Sequence, residues 1–278
     1  PKSTVCGLSR TTFWLLLVLF SISAVVIGVL AAVLPRPPVA TTAPTASPTA
    51  SPTFAPTVSV APTPQPLMDI LEPWIIRNDD DRALFDDPES PQSLALNWLS
   101  DDSFRQTDLP TDKQILERYI LALLYYSTDG VDWANKDTDF NGKIEFLTES
   151  DTCSWNNKYP HIDVRATGAI CADGLNVQFV RMAFLGLNGT IPWELSLLSN
   201  LSSLDLSGNY FLQGSIPTEL YQLTLLEEFG LGGVELEGTI LTEIGQMTAL
   251  TRLVLSDMSL TGTLPIELAR LTGLESLD

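Results

Sequence analysis

The residues best suited to chemistry in this chain are two cysteines, Cys153 and Cys171, with His161 between them. Outside the cytosol, two such cysteines most simply form a disulfide, which would close a modest loop and contribute about 3 kcal/mol of stability. Zinc is the alternative, but the spacing lacks a CxxC pair and a fourth ligand is not evident. The sequence therefore predicts a Cys153–Cys171 disulfide and no metal site.

A second string matches part of an EF-hand calcium loop. Its positions 1, 3, 5, 6 and 8 are Asp137, Asp139, Asn141, Gly142 and Ile144. Position 12 is Thr148 instead of the bidentate glutamate, and Glu149 comes one residue late. Gly130 also interrupts the segment that would form the incoming helix. We interpret this string as an acidic surface loop.

The types and spacing of the residues do not indicate a set of catalytic groups. The chain has one histidine and lacks a GxSxG motif and a phosphate-binding loop, and its carboxylates are scattered over solvent positions. An enzyme such as a hydrolase is thus the less favoured class, and we predict no catalytic residues and no cofactor.

Charge argues against nucleic acid as a partner. Residues 1–66 contain Lys2, Arg10 and Arg36 and no acidic residue, so all 34 Asp and Glu fall in residues 67–278, against 12 Lys and Arg. Affinity for a phosphate backbone comes mainly from lysine and arginine, and no basic stripe is present to supply it.

The strongest pattern is a repeat in the last hundred residues. Leucine or valine opens units at Val177, Leu201, Leu226, Leu250 and Leu274, with spacings of 24, 25, 24 and 24 residues. Most units then carry a Gly-Thr/Ser-Ile/Leu-Pro turn, such as the one that begins at Gly214. Each unit is too short to bury its own apolar row, so neighbouring units must stack into one core.

These residues resemble the plant-type leucine-rich repeat, LxxLxLxxNxLxGxIPxxLxxLxx, over residues 177–278. The resemblance implies an α/β solenoid of about four units plus a truncated fifth, in which the LxL segments form a parallel sheet on the concave side. The asparagine of the pattern is present once, as Asn209, whereas the other units have Leu185, Val234 and Met258. A regular asparagine ladder is therefore not expected.

Strand residues that alternate with the buried leucines should point into the concave face. We predict a ligand-binding surface there, formed by Phe179, Arg181, Ser203, Asp205, Ser207, Glu228, Gly230, Arg252, Val254 and Ser256, with Ala183 and Gly232 in the same rows. The alternative is that these are solvated strand residues, because glycine, serine and alanine offer little anchoring area.

Helices should precede the repeats. Ser90 and Pro91 form a helix start, and a longer helix is predicted from Thr111 to about Ser127, with Asp112, Glu117 and Arg118 facing away from its apolar stripe. We expect these helices, within residues 67–176, to cap the open first turn of the solenoid. The acidic string DDDRALFDDPES at residues 79–90 is interpreted as a solvated loop.

The amino-terminal part predicts a membrane anchor. Residues 13–34 are uncharged, and a 22-residue helix is about 33 Å long, enough to span a bilayer. A cleaved signal peptide is the alternative, but its apolar stretch is usually about 7 to 15 residues. Residues 1–12 would then be cytosolic, and the Pro/Thr/Ser-rich residues 35–66 would form an extended, disordered stalk.

The helical region with its cysteines also resembles membrane-anchored repeat proteins of diatoms. Sequons at Asn188 and Asn200 predict glycosylation and a secretory location. Together these features predict a single-pass membrane protein that is not an enzyme. Its repeats should lie outside the cytosol and bind a protein, peptide or glycan in a receptor-like or adhesive role. A structural cell-surface or wall component without a discrete ligand is the alternative.

Overall fold

The computed structural model describes residues 66–102, 110–133, 146–156 and 167–278. The predicted membrane helix at 13–34, the stalk at 35–66 apart from its last residue, the calcium-loop-like string at 137–144 and His161 lie outside them. Within the described ranges, no helix is both long enough and apolar enough to cross a membrane.

Four α-helices come before the repeats in the described part of the chain. They are α1 (Leu67–Ile75), α2 (Asp79–Ala83), α3 (Pro91–Asp101) and α4 (Asp112–Ser127). The Ser90 side chain caps α3, and Thr111 forms a reciprocal capping box with Gln114 at the start of α4. The predicted starts of both helices are confirmed.

The prediction of a solvated loop at residues 79–90 is wrong for its first residues, which form α2. Asn78 caps this helix by accepting the N–H of Asp81, and the three aspartates of the first turn suit the positive end of the helix dipole. Asp81 is buried and accepts hydrogen bonds from the backbone and side chain of Arg77.

The expected outward orientation of two residues on α4 is also wrong. Glu117 and Arg118 are 2% and 0% exposed. The Arg118 guanidinium pairs with Asp102 and donates to the carbonyls of Thr148 and Ser150 at 2.6 and 2.8 Å. Partners from several sides bury this helix, so its polar residues also lie inside the protein.

The repeats form two sheets joined by 3-10 helices. The first sheet has the order β1-β2-β4-β6-β8-β10, antiparallel at β1–β2 and parallel thereafter, and the second has the order β3-β5-β7-β9. The strands are β1 (Gly168–Ile170), β2 (Phe179–Arg181), β3 (Asn188–Gly189), β4 (Ser203–Asp205), β5 (Phe211–Ser215), β6 (Glu228–Gly230), β7 (Glu235–Gly238), β8 (Arg252–Val254), β9 (Ser259–Leu260) and β10 (Ser276–Leu277). The 3-10 helices of the repeats are Trp193–Leu197, Thr218–Gln222, Thr242–Gln246 and Ile266–Arg270.

Each of the first four repeats contributes one strand to the first sheet, one to the second and one 3-10 helix, and thus forms one coil of a solenoid. The repeated leucines point inward, and Leu204, Leu206 and Leu212 are fully buried. Full burial of a leucine side chain is worth about 1.5–3 kcal/mol, so the stacked rows stabilise the coils jointly. The predicted α/β solenoid is confirmed.

The helical segment contacts the first coil through its backbone. Asn188 and Thr190 donate their N–H groups to the carbonyls of Thr128 and Ser127, at 3.0 and 3.2 Å. Gly189 lies between them with φ +129°, and a Cβ there would come within 2.2 Å of the Ser127 carbonyl oxygen. Only glycine permits this close approach.

Cys153 and Cys171 are joined by a disulfide in the structure. It links the 3-10 helix Thr152–Ser154 to the residue after β1. Trp155, which follows, is fully buried and contacts the rings of Trp98 and Phe146. The cysteines thus anchor an aromatic cluster beside the first strand.

Candidate ligand-binding surface

The parallel register of the first sheet brings the predicted site residues together. The first row across β2, β4, β6 and β8 consists of Phe179, Ser203, Glu228 and Arg252, and the second of Arg181, Asp205, Gly230 and Val254. Their alternating neighbours, such as Val180 and Leu204, are fully buried in the core. We call the surface that carries the two rows, together with Ala183, Ser207, Gly232 and Ser256 after the strands, the strand face.

One polar network on the strand face connects three coils. Arg181 donates to Ser203 Oγ at 3.2 Å and to Glu228 Oε2 at 3.3 Å, and Ser203 Oγ donates to Glu228 Oε2 at 2.9 Å. The guanidinium also lies 4.6 Å from the ring centroid of Phe179. Ser203 is 1% exposed, so its hydroxyl holds the network together and does not face solvent.

Beside this network lies a groove of about 210 Å³. It is lined by Ala183, Phe184, Asp205, Ser207, Glu228, Phe229, Gly230, Arg252 and Val254. The Asp205 carboxylate lies close against Gly230, because a Cβ there would be 2.6 Å from Asp205 Oδ1. Val254 lies against Gly232 in the same way, with its Cγ1 2.8 Å from the position of an added Cβ. The two glycines therefore make room for side chains of the neighbouring coils.

Phe184 forms one wall of the groove and was not predicted as a site residue. It is 70% exposed, has φ +58°, and its ring covers Gly208 of the next coil, where a Cβ would come within 2.2 Å of the ring. Tyr210, 61% exposed, lies beside Gly233 of the next coil, where an added Cβ would be in ordinary contact with the ring at 3.6 Å. The sequence could have indicated both residues, because each is an aromatic residue at a position that the repeat pattern leaves outside the core.

Two charged groups of the groove are not used in ion pairs. Within the described ranges, neither Asp205 nor Arg252 has an oppositely charged side chain at ion-pair distance, in contrast to Arg181 and Glu228. Asp205 Oδ1 accepts the backbone N–H of Ser207 at 3.1 Å, and Arg252 is exposed. Both groups can therefore meet a ligand.

Sequence comparison supports the assignment of the repeats. The family model described as Leucine Rich Repeat matches residues 200–223, which form the second coil. This coil carries the LxL strand, the asparagine and the Gly-Ser-Ile-Pro turn of the pattern, and the other coils repeat its geometry. Residues 177–278 form a plant-type leucine-rich-repeat domain.

Solved structures similar to the leucine-rich-repeat domain include plant receptor ectodomains. The chain is 38% identical to a chain of the BIR3–SERK2 complex from Arabidopsis thaliana, covering 40% of this chain and 60% of that one, with a TM-score of 0.38. It is 30% identical to the BIR2 ectodomain from Arabidopsis thaliana. That match covers 55% of this chain and 73% of that one, with a TM-score of 0.41. It is 26% identical to a chain of the PEPR1–AtPEP1 structure. That match covers 56% of this chain and 20% of that one, with a TM-score of 0.43.

The chain thus spans less than two thirds of the length of the BIR3–SERK2 match. All three TM-scores lie below 0.5, and the assignment of the leucine-rich-repeat domain rests on its own repeats and strand register. No curated protein matches the chain in a sequence search.

The predicted sequons lie on the first coil of the leucine-rich-repeat domain. Asn188 is exposed in β3. Asn200 is half-buried, and its Oδ1 accepts a hydrogen bond from Lys113 Nζ at 2.7 Å. No group of three or more His, Cys, Asp or Glu that could hold a metal ion occurs among the residues that the structure describes.

Proposed function

We propose that the leucine-rich-repeat domain is a recognition module that binds a protein, peptide or glycan on its strand face, without catalysing a reaction. The observation that carries this proposal is the groove beside Phe184. The groove extends over four adjacent coils, and its lining includes an exposed ring and two charged groups that form no ion pair with a described residue.

The composition of the groove favours binding over catalysis. A binding site needs apolar area for affinity and a few placed polar groups for orientation, and Phe184, Val254, Asp205 and Arg252 supply both. The groove lining in the described chain includes no histidine or cysteine, and one of its two carboxylates, Glu228, is engaged with Arg181.

The helical segment is proposed to act as the amino-terminal cap of the solenoid. Its support is the packing of α4 against the first 3-10 helix and the two backbone hydrogen bonds from Asn188 and Thr190. A solenoid end without such a cover exposes its apolar core to water. The cap would span residues 67–176 and include the Cys153–Cys171 disulfide.

We further propose that residues 13–34 anchor the protein in a membrane, with 1–12 on the cytosolic side and 35–66 as a stalk. The support is the uncharged length of residues 13–34 and the proline-rich composition after it. The leucine-rich-repeat domain, glycosylated at Asn188 and Asn200, would then be displayed outside the cytosol in a receptor-like or adhesive role.

The proposal is tested by filling or opening the groove. Full-length wild type and two variants, Ala183→Trp and Phe184→Ser, are screened against a random nine-residue peptide display library and a glycan array. Because Ala183→Trp occupies the groove and Phe184→Ser removes its wall, each should reduce binding of the selected ligand at least tenfold. Phe211→Ser, which changes an exposed aromatic residue of the second sheet, serves as the matched control.

Ligands that bind the two groove variants as well as wild type would place recognition elsewhere on the protein. Absence of any selected ligand, with the variants folded, would count against a recognition module and favour a structural role for the repeats. Unfolding midpoints of all proteins establish that the variants remain folded.

A further inference from the structure

Helix α4 and the first coil meet across an interface that we call the cap joint. Three backbone N–H groups of the first coil donate hydrogen bonds across it, at 3.1, 3.0 and 3.2 Å. The donors are Val177, Asn188 and Thr190, and the acceptors are the Glu117 carboxylate and the carbonyls of Thr128 and Ser127. The joint is closed when these bonds are formed, so the three amides report directly on its state.

Each side of the cap joint contributes a buried carboxylate. Glu117 lies on α4 and Glu194 on the first 3-10 helix of the repeats, and each residue is 2% exposed. Glu117 Oε1 and Glu194 Oε2 have no hydrogen-bond partner among the described residues. A charge that is buried without a full set of hydrogen bonds is costly in free energy. The closed joint therefore favours the protonated, neutral form of both groups.

Glu194 faces mainly neutral groups of the helical segment. Gln92 Nε2, on α3, donates to Glu194 Oε1 at 3.4 Å. Burial, and then the charge of Glu194, raise the pKa of the Tyr119 hydroxyl on α4. Arg77 and Asp81 act on Glu194 from a greater distance and with opposite sign. The Arg77 guanidinium already pairs with two other carboxylates, those of Asp81 and Glu219.

Glu117 has one cation nearby, and this cation is a weak partner. Lys113 Nζ lies 3.9 Å from Glu117 Oε1 and donates to Asn200 Oδ1 at the shorter distance of 2.7 Å. The negative charges of Asp173 and Asp151 disfavour the ionised form of Glu117. The charge of Glu117 is therefore only partly balanced in the closed joint.

The later coils contain no buried carboxylate among the residues that the structure describes. From residue 201 onward, the buried polar residues are Ser203 and Asn209, and neither carries a carboxyl group. Two further buried carboxylates, Asp81 and Asp102, each pair with an arginine of the helical segment. Among the described buried carboxylates, only the two at the cap joint keep an oxygen without a hydrogen-bond partner.

Protonation of these two carboxyls is coupled to closure of the joint. Burial is the main cause that raises the pKa of Glu194 from 4.5 to about 7 and that of Glu117 from 4.5 to about 6. In an open joint both groups contact water, and their pKa returns toward 4.5. Proton binding thus favours the closed joint, fully below pH 4.5 and progressively less as the pH rises through 6 and 7. Between pH 5 and pH 8 the ratio of closed to open joint should fall on the order of a hundredfold.

We propose that the cap joint is a proton-dependent contact, in which protons on Glu117 and Glu194 hold α4 on the first coil. Their release lets α4 and the first coil separate while the later coils stay folded. The inference rests on the proposed cap and is independent of the proposed ligand site. The protein thereby changes the exposure of one end of its solenoid with the acidity of its surroundings.

Amide hydrogen exchange tests this proposal on the full 278-residue chain. Exchange is measured at pH 5, 6, 7 and 8 with single-residue resolution and corrected for the intrinsic rate of each amide. Leu206 and Leu231 provide reference amides, since their N–H groups donate to the next coils at 2.9 and 2.8 Å. From pH 5 to pH 8, protection of Val177, Asn188 and Thr190 should fall at least tenfold more than that of the reference amides.

Charge-neutral variants identify the groups responsible. In the double variant Glu117→Gln, Glu194→Gln, both side chains keep their shape and stay neutral, so the joint amides and the reference amides should respond to pH within threefold of each other. Glu243→Gln is the matched control, because Glu243 occupies the position of Glu194 in the third coil and is exposed. It should retain the wild-type response. Unfolding midpoints at pH 5 establish that all variants are folded.

Two results would overturn the inference and leave the proposed cap intact. One is an equal change of protection at the joint and at the reference amides, since protonation would then act on the whole fold or not at all. The other is an undiminished extra loss in the double variant, which would assign the loss to other groups. Joint amides that exchange freely even at pH 5 would refute the proposed cap and the inference together.

Discussion

Glu117 Oε2 accepts the backbone N–H of Val177 at 3.1 Å, and this bond joins helix α4 to the residue that opens the first repeat. Its other oxygen, Oε1, is buried without a hydrogen-bond partner, and Lys113 Nζ is 3.9 Å away. Glu194, on the first 3-10 helix of the repeats, also has a buried oxygen without a partner. Two carboxylates therefore lie desolvated where the helical segment meets the first coil.

Stability should rise as the solution is acidified from pH 8 to pH 5. Burial raises the pKa of Glu194 from 4.5 to about 7 and that of Glu117 from 4.5 to about 6. The stability gained by binding protons at these two carboxylates in the folded state is fully present below pH 4.5. It is lost as the pH rises through 6 and 7, because the folded state then holds two buried charges. We expect a gain of roughly 2 to 4 kcal/mol between pH 8 and pH 5, measured by urea unfolding.

Glutamine variants provide the control for this pH dependence. Glu194→Gln and Glu117→Gln keep the shape of the side chain and remove its charge, so each should stabilise the protein at pH 8 and change little at pH 5. A variant that is less stable than wild type at pH 8, or that retains the full pH slope, would contradict the argument. The carboxylates whose pKa is lowered, such as Asp81 beside Arg77, lose stability only at lower pH and do not enter this window.

Removing Arg118 should destabilise the protein by about 3–5 kcal/mol. Arg118→Met fills part of the volume but leaves Asp102 as a buried charge and frees the carbonyls of Thr148 and Ser150. Urea unfolding at pH 7 measures the loss. Arg82→Met is the matched control, since Arg82 pairs with Glu72 at the surface and exposed pairs are worth about 0–1 kcal/mol. Equal effects of the two substitutions would show that burial of the Arg118 pair does not matter.

Asn209→Ala should lower the free energy of unfolding by about 3 kcal/mol or more. The substitution leaves several buried backbone groups without a hydrogen-bond partner, and each such group costs about 1–3 kcal/mol. Asn209 Oδ1 accepts the N–H groups of three consecutive residues, and its Nδ2 donates to two carbonyls. These partners are Leu185, Gly186, Leu187, Met182 and Leu206. Hydrogen exchange of the three amides, with exposed Asn188→Ala as control, should show lost protection in Asn209→Ala alone.

Replacement of both Cys153 and Cys171 by serine should lower the free energy of unfolding by about 3 kcal/mol, since the bond closes a loop with a sequence separation of 18. Reductant should destabilise wild type by a similar amount and leave the double variant unchanged. A reductant-sensitive double variant would assign the effect to another part of the chain. Unfolding monitored by tryptophan fluorescence reports on this region, because Trp155 is two residues after Cys153.

Periodic and capping residues made much of this fold predictable. The leucines at 24- and 25-residue spacing determine the solenoid, and Ser90 and Thr111 fix the starts of α3 and α4. The orientations of Glu117 and Arg118 were not predictable from local periodicity, because their partners come from distant parts of the chain. Asp102 is 16 residues before Arg118, and Val177 is 60 residues after Glu117.

The two rows of the candidate site could be predicted from the sequence, whereas the shape of the groove beside them could not. Alternation along β2, β4, β6 and β8 correctly places Asp205 and Arg252 on one surface, since strand register follows from the repeat length. The wall formed by Phe184 depends on a left-handed backbone and on the glycine of the next coil, Gly208, which are tertiary properties. The pairing of Arg181 with Glu228 two coils away, which leaves Asp205 without an ion pair in the described chain, is likewise invisible in the sequence.

The single asparagine of the repeats makes the array unequal along its length. Asn209 fastens the second coil to four backbone groups of the first, whereas Val234 and Met258 fill the same place in later coils. A repeat inserted between the first and second coils would break those hydrogen bonds. A repeat inserted between the third and fourth coils would not, because no asparagine at this position joins them. Chimeras that lengthen or exchange repeats should therefore be cut near Leu226 or Leu250, and the first two coils should be transplanted together.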